Sequence, residues 1–407
     1  MPFNVPFVFG LSPQHIPAIS DQSLLWSQPL PVHRHAFSQT GRSDGMGPHL
    51  TYGDYFSAAR SFLSQDDAAL VRQAVGRYTG RRVALEDLDR VAIFLVKHGA
   101  FYHPAYVEVS ASDRRLPFVL NVAASSQGRH YLGLEYQSLA RLNAELPQPF
   151  WPQVYGHGCG VCHNGRQLPM FLGQWLAGFY EFHLTTSTSG DPCQVVVWDT
   201  DRGHRILTPS QVQQLARQTA FILAYSFHPL TFEAVLNWHH AAGDFVLKPA
   251  EDGLKVGLIT VRHYAPMIAP TDPDLGAVLD GVLRYLVAVS MRLRLDRLDG
   301  TGPMACYADE VVPAICRGFL EGLNHGCAAR GLPDDLATAI RRFLCLHTEK
   351  ELMPTACAVI ASYPDHSDEW LLLQKMCQSH VAALAAALTN EAGRPQHAED
   401  QTRPSPI

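Results

Sequence analysis

The chain has 407 residues, more than one hydrophobic core usually holds, so a two-lobed domain or two domains is expected. Apolar residues make up 47% of it, which excludes a disordered chain. Only 17% are charged, and 32 Lys+Arg against 38 Asp+Glu give a net −6, which offers no basic footprint for a nucleic acid. Nine cysteines, an odd number scattered from Cys159 to Cys377, form no disulfide framework. They point to a reducing compartment, and the cytosol is the expected location. The opening Met1-Pro2-Phe3-Asn4-Val5-Pro6 lacks the basic and apolar regions of a secretory signal. The most apolar stretch, 278–289, is interrupted by Asp280 and Arg284, so no membrane span is expected.

Residues 1–51 carry Pro, Gly, Ser and His without a period and read as an N-terminal arm, wrapped on a surface or loose. Over 52–90 the pattern turns helical: Phe56, Ala59, Phe62 and Leu63 share one face, and Leu70, Val71, Ala74, Val75 and Tyr78 share another. Short β-rich runs follow at 91–97, 106–110 and 116–123. A helix carries Leu132, Tyr136, Leu139 and Leu142. Strands at 153–155 and 168–172 then flank a Gly-rich turn over 156–165, and another strand is expected at 194–198. The expected order is three strands, a helix and two strands, an antiparallel sheet over 91–178.

Beyond it, residues 179–390 read as mainly helical. Thr208-Pro209 opens a helix with an N-cap and Pro in its first turn. A hairpin is expected over 245–248 and 255–261, turning at Glu251-Asp252-Gly253. Amphipathic helices follow over 275–293, 311–324, 334–347 and 369–388, and a disordered tail over 391–407.

This layout, an α+β chain with a small antiparallel sheet lobe carrying one helix and a larger helical lobe, resembles the protein-kinase-like superfamily. It is nearest the aminoglycoside and choline phosphotransferase branch. The resemblance implies that Lys97-His98-Gly99-Ala100-Phe101 is the turn over the nucleotide phosphates, with Gly99 as its one glycine; an ordinary hairpin is the alternative. It places Asn121 where the family has a phosphate-binding Lys, Glu135 as the helix glutamate, and Gln174 in the hinge that receives adenine. The segment Trp238-His239-His240-Ala241-Ala242-Gly243-Asp244-Phe245 resembles the catalytic loop. It implies Asp244 as base, with His239 and His240 able to position a phosphate or acceptor. A turn-capping role for Asp244 is the alternative.

No Asn follows Asp244 to hold a metal, and Thr260 or Val261 stands where the late hairpin should bear a metal-binding Asp, with Arg262 adding positive charge. Two readings follow. One is a pseudokinase-like protein that binds a small molecule or a protein in the interlobe cleft. The other is a divergent phosphotransferase using ATP and Mg²⁺, with Asp244 as base. Separately, His157-Gly158-Cys159-Gly160-Val161-Cys162-His163 holds the Cys-x-x-Cys-His spacing of c-type haem attachment. The same residues, His157, Cys159, Cys162 and His163, offer a zinc ligand set, and an unliganded turn is the third alternative.

Overall fold

The computed structural model describes residues 5–13, 18–31, 50–99, 101–148, 150–186, 193–200, 202–238, 240–250, 253–268 and 274–393. The chain divides into two units, residues 1–140 with 152–177, and residues 141–151 with 178–407.

In the first unit the elements are β1 (Phe7–Gly10), α1 (Tyr52–Leu63), α2 (Gln65–Thr79), β2 (Leu88–Leu95), β3 (Tyr102–Ala111), β4 (Arg114–Ala123), α3 (Ser126–Glu145, whose last turn belongs to the second unit), β5 (Val154–Val161) and β6 (Gln167–Gln174). They form one six-stranded sheet in the order β1-β2-β3-β4-β6-β5, antiparallel except for β1 on β2. The strands alternate as a half-covered sheet must. Val91, Ile93, Val107, Val109, Phe118 and Leu120 pack in one core with Tyr55, Phe56 and Phe62 of α1 and Val71 and Val75 of α2. Helix α1 starts at a capping box, in which the Thr51 hydroxyl accepts from the Asp54 N–H and the Asp54 carboxylate accepts from the Thr51 N–H at 3.1 Å.

Two features depart from the sequence expectation. The arm contributes β1, whose Phe9 ring packs 5.1 Å from Phe56 and 5.9 Å from Trp26; its stretches 1–4, 14–17 and 32–49 lie outside the described residues. The expected Gly-rich turn over 156–165 is mostly strand. In β5, Gly156, Gly158 and Gly160 alternate with His157 and Cys159, and a Cβ at Gly160 would collide with the carbonyl oxygen of Ala58 in α1. Gly160 lets the backbone of α1 lie directly on the strand, while Gly156 and Gly158 leave room for the side chains of Leu70 and Phe62. The turn itself is confined to Cys162–Arg166, where the Cys162 N–H donates to Arg166 C=O at 2.8 Å.

The second unit holds a three-stranded sheet, β7 (Phe182–Thr185), β8 (Gln194–Val197) and β9 (Arg205–Ile206), then α4 (Pro209–Ser226) and β10 (Glu233–Leu236). A short turn α5 (Ala241–Asp244) leads into the hairpin β11 (Phe245–Ala250) and β12 (Gly253–Leu258), and β13 (His263–Pro266) returns antiparallel to β10. After α6 (Leu275–Arg292), the small pair β14 (Leu295–Arg297) and β15 (Met304–Cys306) precedes α7 (Val312–Ala329), α8 (Asp334–Cys345), α9 (Glu349–Ile360) and α10 (Asp368–Ala392). The sequence reading had no α9, because Pro354 interrupts its pattern. Helix α10 is long and apolar enough to cross a membrane by length and composition, and half of that stretch is buried inside the protein. The expected tail begins within it, and residues 394–407 lie outside the described residues.

Buried polar groups pin these helices. Arg217 of α4 donates two bonds of 2.8 Å to Glu321 of α7, and Arg317 and Arg341 share the carboxylate of Glu391 in α10. His380 of α10 is fully enclosed. Its Nδ1 faces the Arg294 guanidinium at 3.0 Å and so accepts, which leaves Nε2–H to donate to the Ser290 hydroxyl at 3.0 Å. Burial first, and the Arg294 charge second, push its pKa down to about 3.

An unfolded histidine binds its proton near pH 6.5, whereas the folded one stays neutral down to that depressed value. The unfolded state therefore holds more protons in between, and stability is expected to fall by up to about 1.4 kcal/mol per pH unit as pH drops from roughly 6.5. Urea unfolding at pH 7.5, 6 and 5 checks this. A His380→Gln variant should show a flatter decline, and an equally steep decline in that variant would refute the assignment.

Beside β1, the sheet is made of three antiparallel strands, one helix and two strands in the chain order expected from the sequence, and a mainly helical unit follows, which makes the chain α+β.

Candidate functional site

The segment that resembles a catalytic loop lies between β10 and β11 in the second unit. It leaves β10 at Asn237, whose φ of +60° turns the chain sharply, and enters β11 through Gly243, whose φ of +87° is one that glycine adopts without strain. Asp244 is thus the residue immediately before β11. Its carbonyl accepts from the Ile259 N–H at 2.9 Å, which fixes it to the end of β12.

The Asp244 side chain is 3% exposed, and its carboxylate forms an ion pair of 3.1 Å with Arg262. The same guanidinium donates to the Asn237 carbonyl at 2.8 Å. Because Leu236 pairs with His263 across β10 and β13, the residues just beyond that pair, Asn237 and Arg262, necessarily face each other. One arginine therefore ties the first and last residues of the loop. A second, Arg292 at the end of α6, donates to the Trp238 carbonyl and lies 4.4 Å over the Trp238 ring. Burial lowers the pKa of Arg292, with Asp244 and Tyr363 partly offsetting that loss.

These residues do not fit a magnesium ion. Mg²⁺ takes hard oxygen ligands, usually one or two carboxylates beside the phosphates. The loop's buried carboxylate already faces a guanidinium. Thr260 stands where the resemblance implies a metal-binding carboxylate, and Val261 beside it is fully buried. His240 precedes the α5 turn as its half-buried N-cap residue, and its side chain makes no cap bond. His239 lies outside the described residues, as do Glu251 and Asp252. Sequence reading noticed the charge of Arg262 but not its partner, and missed Arg292, which sits 54 positions from Trp238.

In the first unit, Gly99 closes a short turn by donating its N–H to the Tyr102 carbonyl at 2.9 Å, and Ala100 lies outside the described residues. That amide is therefore committed to the turn that resembles a phosphate loop. Asn121 sits in β4 directly opposite Pro104 of β3 and Phe171 of β6, on the face away from the α1–α2 core. Glu135 is buried in α3, next to Tyr136, whose ring lies 6.0 Å from Phe171. The helix thus covers the side of the sheet that carries Asn121. Gln174 ends β6, and its side-chain oxygen accepts from the Gln153 N–H at 3.2 Å, while its own N–H donates to the Gln153 carbonyl at 2.8 Å. This side chain latches β6 to the start of β5.

The Cys–His segment does not converge. His157 and Cys159 alternate on one side of β5 and are exposed, with the His157 ring 4.1 Å from Tyr136. Cys162 belongs to the α1–α2 core on the other side. Burial first, and the nearby Asp54 carboxylate second, push its thiol up to about 11. His163 is exposed, with its ring 6.2 Å from Trp26. Among the described residues no group of three His, Cys, Asp or Glu side chains is gathered for a metal ion.

No protein-family model matches the sequence, and no curated protein matches it. Among solved structures, a WaaP chain in complex with acyl carrier protein covers 67% of this chain and 95% of its own, at 13% identity and a TM-score of 0.30. The MAP kinase LmaMPK10 from Leishmania major covers 70% of this chain and 92% of its own, at 9% identity and a TM-score of 0.28. Superpositions this loose transfer no residue role and carry no argument about the site.

Proposed function

We propose that this is a pseudokinase-like protein, in which a kinase-like fold serves recognition of a small molecule or a protein and not Mg²⁺-dependent phosphoryl transfer. The observation that supports it is the buried Asp244–Arg262 pair. A phosphotransferase needs its loop carboxylate within reach of an acceptor hydroxyl or a metal ion. Here a guanidinium faces that carboxylate, and Arg262 is held in turn by the Asn237 carbonyl. The competing phosphotransferase reading requires Arg262 to leave Asp244 when substrate binds. All nine cysteines are free thiols, which supports a reducing compartment such as the cytosol.

Thermal unfolding of the full-length protein with millimolar ATP, with and without excess Mg²⁺, separates the two readings. A ligand held only by the native state stabilises it by about 2.7 kcal/mol at a hundred times its Kd. The melting temperature is expected to show no Mg²⁺-dependent rise. A rise that needs both ATP and Mg²⁺, and that Asp244→Ala removes, would overturn the proposal in favour of the phosphotransferase.

A further inference from the structure

Three sulfur atoms meet between the last two helices, remote in sequence from the loop discussed above. Met353 and Cys357 stand one turn apart on α9, so their side chains share a face. Facing them from α10 is Cys377, whose thiol lies 3.8 Å from the Met353 sulfur. Cys357 shares the α9 face of Met353 and acts electrostatically on the Cys377 thiol, which places it at the third corner. Cys377 is buried at the base and Cys357 is exposed at the mouth, so the cluster is enclosed by protein on one side and reachable from solvent on the other.

We propose that Met353, Cys357 and Cys377 form a binding site for copper(I), an ion that favours an all-sulfur, low-coordinate site. The dimensions agree. Metal–thiolate bonds of about 2.3 Å, arranged three in a plane, separate neighbouring sulfurs by about 4 Å. The 3.8 Å between Met353 and Cys377 is that spacing without rearrangement of the helices. Chemistry selects the ion as well. Thiolate and thioether are soft donors, hard cations such as Mg²⁺ and Ca²⁺ require oxygen, and structural zinc takes four nitrogen or sulfur ligands where this cluster offers three.

Binding is an exchange of protons for metal without change of oxidation state. Each of the two thiols releases its proton to solvent as its sulfur lone pair bonds the ion, and the thioether donates a lone pair unchanged. Two thiolates on one Cu⁺ leave a net charge of −1. Because both thiols must lose their protons, uptake strengthens as pH rises.

The test is anaerobic titration of the reduced, full-length protein with Cu(I) against a chromophoric Cu(I) chelator. The wild type is expected to withhold one equivalent more than the Cys357→Ser variant, and Cys377→Ser should lose the same equivalent. Met353→Leu, which keeps the apolar volume, should bind about tenfold more weakly, a loss of the size that one disrupted supporting contact costs a metal site. Cys357 is exposed, so its replacement leaves the fold intact, and circular dichroism of each variant checks this. Equal copper uptake by the wild type and Cys357→Ser would overturn the proposal, by placing any binding at other thiols such as Cys159 or Cys193. So would reduced protein that takes up no copper.

Discussion

Replacing Arg262 with methionine is expected to lower the free energy of unfolding by about 3–5 kcal/mol, the range seen when one partner of a buried ion pair is removed. The side chains of Arg262 and Asp244 are 13% and 3% exposed, so solvent screens the pair little. The variant also loses the bond to the Asn237 carbonyl, and with it the tie between the two ends of the loop. Changing Asp244 to leucine in the same background should recover much of the loss, because an apolar pair of similar volume requires no compensation for a buried charge. Urea unfolding of the two single variants and the double variant measures the coupling. A single-variant cost below about 1 kcal/mol, the size typical of an exposed pair, would mean that Arg262 does not clamp the loop. That result would also weaken the proposed function, which depends on Asp244 being held away from other partners.

What the sequence could disclose about this protein followed from how local each signal was. Period-2 and period-3.6 patterns are local, so the strands around Val107, Leu120 and Leu172 and the helix around Leu139 are legible in the sequence. The glycines at 156, 158 and 160 misled, because the same residue marks a turn and a strand pressed closely by a neighbour, and only the distant Leu70, Phe62 and the Ala58 backbone tell the two apart. Strand β1 was missed for a related reason: four residues are too few for a period, and its pairing with Val91–Phe94 is non-local. At the candidate site, Thr260 and Arg262 stand out as single letters where the resemblance implies a carboxylate. The ion pair that gives Arg262 a role joins residues 18 positions apart, and the sulfur triangle joins α9, whose pattern Pro354 obscures, to α10. Nothing in the spacing of Met353, Cys357 and Cys377 announces a site, since the gap between the second and third is set by how two helices pack.

Substituting Gly322 with alanine is expected to destabilise the helical unit as strongly as a large core disruption, by several kcal/mol, although it adds one methyl group to a good helix former's position. On propensity alone the change should stabilise α7 by about 1 kcal/mol. Packing reverses the sign. Gly318, Gly322 and Gly326 recur every four residues along one stripe of α7, and along that stripe runs the backbone of α4. A Cβ at Gly318 would collide with the carbonyl oxygen of Arg217, one at Gly322 with that of Phe221, and one at Gly326 would lie 2.6 Å from that of Tyr225. The obstacle in each case is main chain, which cannot rotate aside as a side chain does, so the helices must separate. Separation would stretch the Arg217–Glu321 bonds and open the layer that buries Phe221, Phe319 and Leu323. Overpacking in a tight core costs roughly 1–3 kcal/mol, and loss of that ion pair adds to it. Circular dichroism melting of Gly322→Ala beside Gly331→Ala makes the comparison. Gly331 sits just past the helix at φ +65° with open space around it, so its substitution tests backbone strain without collision. Gly322→Ala should melt well below both the wild type and Gly331→Ala. A melting temperature equal to or above the wild type's would mean that α4 and α7 are not in backbone contact along this stripe.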